Sequence, residues 1–376
     1  MNSKISRFLA KSKVVTPCLV VDVDRVEENY RQLCQSIPQA AIYYAVKANP
    51  ALPILQRLVA LGAHFDAASW EEIELCLEAG ADSSKISFGN TVKKASSIRH
   101  AFMAGIDMYA FDSLEELEKI ARNAPASKVY CRLTVENKGA DWPLTDKFGT
   151  TTEHAIELLL KAQEMGLDAY GVSFHVGSQQ INPQTYAAAI TKVATVFTEL
   201  AAQGLTLRMI NIGGGLPICY REDVPDIEQF SDVIQQAMAH HFGKNLPHII
   251  MEPGRFIVGD AGVISTEVVL VSNRGKVNDP RWVYLDIGRF GGLAETEGEA
   301  IRYAIRTPHD GSITAPVILA GPSCDGVDIL YQKADYHLPL QLMAGNRIEL
   351  LSTGAYVSTY CSTRFNGFKP LEEYYI

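Results

Sequence analysis

Lys47 follows the apolar run Tyr43-Tyr44-Ala45-Val46 and precedes Ala48-Asn49-Pro50. A lysine just past an apolar strand commonly keeps its ammonium in water at a rim. Enclosed in a buried mouth, the same amine gives up its proton more readily and can form an imine with an aldehyde. The aldehyde cofactor that exploits such a lysine, pyridoxal 5'-phosphate, makes three further demands. It needs a cradle for its phosphate, a partner for its pyridine nitrogen and a face on which to hold the ring. Gly213-Gly214-Gly215 follows the run 208–212, and three glycines let backbone N–H groups approach phosphate oxygens unhindered. A tight turn uses such a run equally well. Glu252-Pro253-Gly254-Arg255 ends the run 248–251. Glu252 could keep a proton on the pyridine nitrogen and Arg255 could balance phosphate charge, or the two could form a local ion pair. His175 could stack on the ring and Ser178 could donate to the phosphate. A lone histidine at a strand end is otherwise a hydrogen-bonded core residue.

Repeated elements must set these positions. From about residue 40 to 255, short β-branched or aromatic runs alternate with longer stretches of helical period. The expected strands cover 41–46, 64–67, 86–88, 107–111, 129–135, 170–174, 208–212 and 248–251, with helices such as 52–61 and 185–203 between them. Ser69 to Glu72 and Ser113 to Glu116 read as capping boxes that start helices directly after a strand. Eight consecutive βα units predict an α/β fold of the (β/α)8 TIM-type barrel kind, with an open doubly wound sheet as the alternative. In such a barrel the chemistry sits where strands end. The residues there are Lys47, Asp66, Asn90, Asp112, Arg132, His175, Gly213 to Gly215, and Glu252 with Arg255. After Glu252 the alternation stops, and 262–271, 281–287, 316–321 and 346–351 read as strands joined by turns. The N-terminal run 18–23 is expected to pair with them. The expected organisation is a barrel over 25–260 and an all-β domain from 1–24 and 261–376.

Composition narrows the partners. The chain has 376 residues, 47% of them hydrophobic and 20% charged, with a net charge of -9. That balance disfavours nucleic acid and anionic membranes. No apolar stretch reaches the length of a membrane span, and the N-terminus lacks the apolar core of a signal peptide. The seven cysteines are scattered without a CxxC pair, so a reduced, cytoplasmic chain without structural zinc is expected.

The segments YAVKANP (44–50), FDAAS (65–69), SFHVGSQ (173–179), NIGGG (211–215), EPGRF (252–256), GPSCDGVD (321–328) and GAYVSTYCSTRFNGF (354–368) together resemble the fold-type III, alanine-racemase-like pyridoxal-phosphate decarboxylases. The likeness is strongest to bacterial ornithine and lysine/ornithine decarboxylases and runs from about Val14 to Pro370. It implies decarboxylation of a basic amino acid, ornithine to putrescine first, on a homodimer with shared active sites. Lys47 would carry the cofactor. Asp66, Glu72, Arg132 and Lys147 would belong to the network beneath it. His175 would stack on the ring, and Glu252 would face the pyridine nitrogen. Ser178, Gly213, Gly214, Gly215, Arg255 and Tyr356 would hold the phosphate. Cys324 and Asp325 would reach into the partner's site, Asp325 to the distal ammonium and Cys324 to the reprotonation of Cα. A carboxylate at that end follows from chemistry too, because a buried ammonium requires a partner. Read alone, the segment is a turn built on Gly-Pro-Ser with an inert thiol.

Two positions depart from the family pattern. Asn211 stands where many relatives carry Asp. The segment 286–303 lacks the Tyr-Asp pair of the eukaryotic ornithine enzymes and offers Glu295 or Glu297 instead. Rival readings are a decarboxylase of the same fold acting on lysine, diaminopimelate, arginine or carboxynorspermidine, a racemase, and a cofactor-binding protein without catalysis.

Overall fold

The computed structural model describes residues 3–142, 147–275, 279–362 and 364–376, so Thr363 of the segment 354–368 lies outside the described residues. The chain divides into two compact units. One holds residues 27–217 and 224–256; the other holds those up to 26, 218–223 and from 257 onward.

The first unit is a closed parallel barrel. Its strands are β1 (Ala40–Ala45), β2 (His64–Ala67), β3 (Ile86–Phe88), β4 (Met108–Phe111), β5 (Lys128–Arg132), β6 (Asp168–Ser173), β7 (Met209–Asn211) and β8 (His248–Met251). Each pairs in parallel with the next, and β8 closes onto β1. The open-sheet alternative is thereby set aside. Side chains from five strands, Tyr43, Met108, Ala110, Tyr130, Met209 and Ile250, meet in one buried cluster, so the interior is a packed core.

Caps fix where the intervening helices start. Ser69 accepts from the Glu72 amide, and the Glu72 carboxylate returns to the Ala68 amide at 2.7 Å. Ser113 caps the helix Leu114–Asn123 in the same way. There the reciprocal half of the expected capping box is missing, because Glu116 turns inward to the buried Lys93 at 3.0 Å and to Lys119 at 2.6 Å. A short antiparallel pair, Ala140–Trp142 with Ser178–Gln180, was not evident in the sequence.

In the second unit one sheet runs through Ile305–Arg306, Arg347–Leu351, Gly262–Ser272, Arg281–Leu285, Thr314–Ala320 and Ile329–Pro339. Cys18–Val21 pairs antiparallel with Gly262–Ser272, as the sequence suggested, and parallel with Glu372–Tyr375. The helix Ser3–Lys11 was not expected; Ile5, Phe8 and Leu9 pack it against Val14, Cys18, Val20 and Val263. Residues 218–223, which follow the glycine run, also group with this unit. Arg221 lies over the Tyr336 ring at 4.2 Å and donates to the Ala334 carbonyl at 3.0 Å. Among the described residues no helix is long and apolar enough to cross a membrane.

Candidate active site

Alternation along the barrel strands builds the site. Met209, Tyr130 and Ile250 belong to the interior cluster, so Asn211, Arg132 and Glu252, two residues further along, continue the same inward rows. They form the top layer of the interior, at the strand ends. Lys47 sits in the single 3-10 turn Val46–Ala48 that ends β1. Its amine stands 3.7 Å from Asp66 Oδ2, and 44% of its side chain is exposed against 4% for Asp66. The sequence reading expects a more enclosed amine. Ser87 donates to the other Asp66 oxygen at 3.3 Å. A methyl at Gly89 would fall 1.8 Å from that oxygen, so the residue after β3 must be small.

Glu252 is half-buried at the end of β8. Burial first, and the neighbouring Asp66 charge second, push its carboxyl up to about 7; Lys47, the Asn211 amide and Arg132 pull the other way. Asn211 donates from Nδ2 to Glu252 Oε1 and accepts from the Gly213 amide at 2.9 Å. His175 is held well below the usual histidine range by burial, then by the Arg132 and Lys47 cations. The Gly177 amide donates to its Nδ1 at 3.0 Å, so the neutral ring carries its proton on Nε2.

The glycine run threads between neighbouring strand ends. A Cβ at Gly213 would meet the Phe174 oxygen at 2.2 Å, at Gly214 the Glu252 oxygen at 2.4 Å, and at Gly215 the Gly177 oxygen at 2.3 Å. Tyr186 donates to the Gly214 carbonyl at 2.8 Å, and the Gln180 amide to that of Gly215 at 2.9 Å. Arg255, almost wholly buried, donates twice to Ser178 Oγ, at 3.2 and 3.0 Å. Local pairing of Glu252 with Arg255, the alternative left by the sequence, is not what engages Glu252 here. Arg132 and Lys147 flank the Phe148 ring at 5.2 and 5.0 Å. Asn90 and Asp112 serve the backbone: Asn90 donates to the Ala68 carbonyl, and Asp112 accepts from the Gly149 amide.

Cys324, Asp325, Tyr356, Glu295 and Glu297 belong to the other compact unit. Cys324 and Asp325 occupy an exposed turn. The Cys324 amide donates to Asn366 Oδ1 at 3.1 Å, and Asn366 Nδ2 approaches its sulfur at 3.2 Å. Asp325 accepts from the Val327 amide at 3.0 Å. Tyr356 has a left-handed backbone, φ +57°. Glu295 is buried and Glu297 exposed. The residue that shapes this turn, Asp328, escaped the sequence reading. Its buried carboxylate accepts from the Ser323 amide at 3.1 Å and from the Arg289 amide at 2.8 Å. The segment 321–328 ends on Asp328, but nothing along the chain shows which amides its carboxylate holds.

The barrel residues fit a phosphorylated pyridine aldehyde. An amine, an acid raised by burial, a neutral imidazole, an arginine–serine pair and a run where any Cβ would strike backbone all lie at the strand ends of one barrel. Comparison with known proteins agrees. The family described as pyridoxal-dependent decarboxylase, pyridoxal binding domain, matches residues 23–259. The lysine/ornithine decarboxylase of Selenomonas ruminantium is 35% identical over 374 residues, covering 98% of this chain and 91% of that protein. The arginine decarboxylase of Paramecium bursaria Chlorella virus, solved with agmatine, superposes with a TM-score of 0.90 at 30% identity, covering 100% of both chains. The Vibrio vulnificus lysine/ornithine decarboxylase, solved with putrescine, gives 0.87 at 30% identity, covering 99% of this chain and 97% of that one.

Proposed function

This chain belongs to the pyridoxal-dependent decarboxylases, and from that premise we propose that it removes the α-carboxylate of a basic L-amino acid, L-ornithine first and L-lysine second. The observation that carries the proposal is the meeting of Lys47, Asp66 and Glu252 in one recess, beside a glycine run that admits no side chain. Pyridoxal phosphate, when bound, supplies an aldehyde that takes up amines and a ring that accepts the electron pair left by departing CO2.

The chain's own residues orient and hold protons. Lys47 would offer the amine that anchors the aldehyde, with Asp66, 3.7 Å away, holding its charge beforehand. Glu252 keeps a proton on the ring nitrogen, and a cation there repays the cost of burying its carboxylate. His175, neutral and protonated on Nε2, presents a flat face without adding charge. Ser178, Arg255 and the three glycines would hold the phosphate. In a homodimer, the exposed Cys324 and Asp325 serve the second copy's site. Asp325 meets the distal ammonium of the substrate, and Cys324 governs proton return to Cα. An acid at that end favours a diamino monocarboxylic acid over diaminopimelate, whose far end carries a carboxylate beside its ammonium. We place the reaction in diamine supply for polyamine biosynthesis, in the cytoplasm.

The test is CO2 release by the cofactor-loaded enzyme with ornithine, lysine, arginine and diaminopimelate side by side. Turnover of ornithine or lysine to putrescine or cadaverine is expected. Preference for diaminopimelate, or racemisation without CO2, would overturn the assignment.

A further inference from the structure

Asn211 is the family departure that the sequence left without a role. It is almost completely buried, at the last position of β7. It registers with Ile250 of β8, so Glu252, two residues on, shares its face of the barrel. The orientation of its amide is fixed by logic as well as by geometry. The Gly213 N–H can only donate, so the Asn211 group 2.9 Å away must be its oxygen. The NH2 group therefore faces Glu252 Oε1 and donates to it. The loop closes through the backbone, where the Glu252 amide donates to the Gly213 carbonyl at 2.8 Å.

We propose that Asn211 is a positioning residue: it ties the acid of the site to the first glycine of the phosphate-side run and presents Glu252 as an acceptor toward the cofactor ring. This rests on the proposed role of Glu252 at the ring nitrogen. A donor at this place favours the ionised carboxylate, and only a ring nitrogen that keeps its proton has use for an ionised partner. An aspartate in the same place would still satisfy the Gly213 amide, but its second oxygen would face Glu252. Two carboxylates in contact cannot both ionise freely, so one proton would be shared until rising pH removes it. The other groups acting on Glu252 are Tyr43 and Lys47 at β1, Asp66 at β2, and Tyr130 and Arg132 at β5, with His175 beside Arg132 and Lys47. Burial pushes both tyrosine hydroxyls upward. All of these groups are common to wild type and variant.

The experiment titrates pyridoxal phosphate into the stripped full-length protein and follows cofactor absorbance from about pH 6 to about pH 9, the interval in which a proton shared by two carboxylates would be lost. A cationic ring expels the proton that two carboxylates share, whereas wild-type Glu252 has already given up its own above about pH 7. For Asn211→Asp, the ratio of variant to wild-type Kd should therefore fall by up to about tenfold per pH unit above that point and level off once the shared proton is lost. With Glu252→Gln in the background that fall should vanish. Asn211→Ala removes both bonds and should weaken binding by a pH-independent factor that shrinks in the Glu252→Gln background; it carries the test if the aspartate variant does not fold. A flat or climbing ratio for Asn211→Asp above about pH 7, or a fall that survives Glu252→Gln, overturns the inference. If Glu252→Gln alone changes neither affinity nor turnover, the reading of Glu252 itself fails. If it impairs both while Asn211→Asp stays flat, only the role of Asn211 falls.

Discussion

Glu252→Gln should make the protein more stable when the cofactor is stripped away and less competent when it is bound. The carboxyl rises from an ordinary 4.5 to about 7, mainly through burial. Its pKa in the folded chain therefore exceeds that in the unfolded chain, and between those values the folded state binds more protons. Stability then falls as pH rises through that window, and the loss is complete above about 7. At 1.36 kcal/mol per pKa unit the ceiling is roughly 3 kcal/mol, and water in the recess should reduce it to about 1–2 kcal/mol. Glutamine nearly matches the shape, has no charge to bury, and can still accept from Asn211. Urea midpoints of stripped wild type and variant, compared at about pH 5 and about pH 8, give the assay. The variant should gain on the wild type as pH rises. With pyridoxal phosphate bound the order should reverse, because the wild-type carboxylate then has a cationic partner and the amide cannot serve it equally. A gap between the stripped proteins that does not change with pH would refute the reasoning. It would mean that Asp66 and the recess do not load Glu252 as the geometry requires.

Lys47→Ala should remove the covalent anchor, so that borohydride no longer fixes the cofactor to the chain by mass, with turnover lost; retained fixation and turnover would move the anchor elsewhere. Glu116→Ala leaves the wholly buried Lys93 ammonium without its carboxylate, though the Asn90 and Ala110 carbonyls still accept from it. The expected cost is about 3 kcal/mol, read as a lower urea midpoint, whereas Glu116→Gln should cost less. Gly214→Ala would place a methyl 2.4 Å from the Glu252 carbonyl and 3.6 Å from His175 Nε2. Overpacking of about 1–3 kcal/mol should appear as weaker cofactor binding more than as a lost fold, and equilibrium dialysis with pyridoxal phosphate would detect it.

The barrel was legible because its period is simple. A strand one residue out of register would put the wrong side chain inward, so the runs had to carry their polar residues at one end, and Lys47, Asp66, Arg132, His175 and Glu252 stand there. What sequence could not show were contacts between positions far apart in the chain. Tyr186 reaches the Gly214 carbonyl across 28 residues, Lys93 meets Glu116 across a strand, and Asp328 joins the Ser323 turn to the Arg289 loop. At Ser113 the serine half of the capping box forms and the Glu116 half does not, because a buried lysine is a stronger claim on a carboxylate than a backbone amide at a helix start.

Asn211 shows why the second kind of information matters for function. Taken along the chain it is only an exception before three glycines. Placed in the barrel, its neighbour two residues earlier packs in the core and its partner in β8 leads to Glu252. A neutral donor at that point lets one acid remain an acid's conjugate base in a recess that otherwise drives it to take up a proton. The same position occupied by a carboxylate would have to share a proton with Glu252, and the pH range over which Glu252 could serve a charged ring nitrogen as a full carboxylate would shrink from the acid side. The choice of amide over acid therefore bears on the conditions under which the chemistry can run, and not on the fold, which either residue would satisfy through the same bond to Gly213.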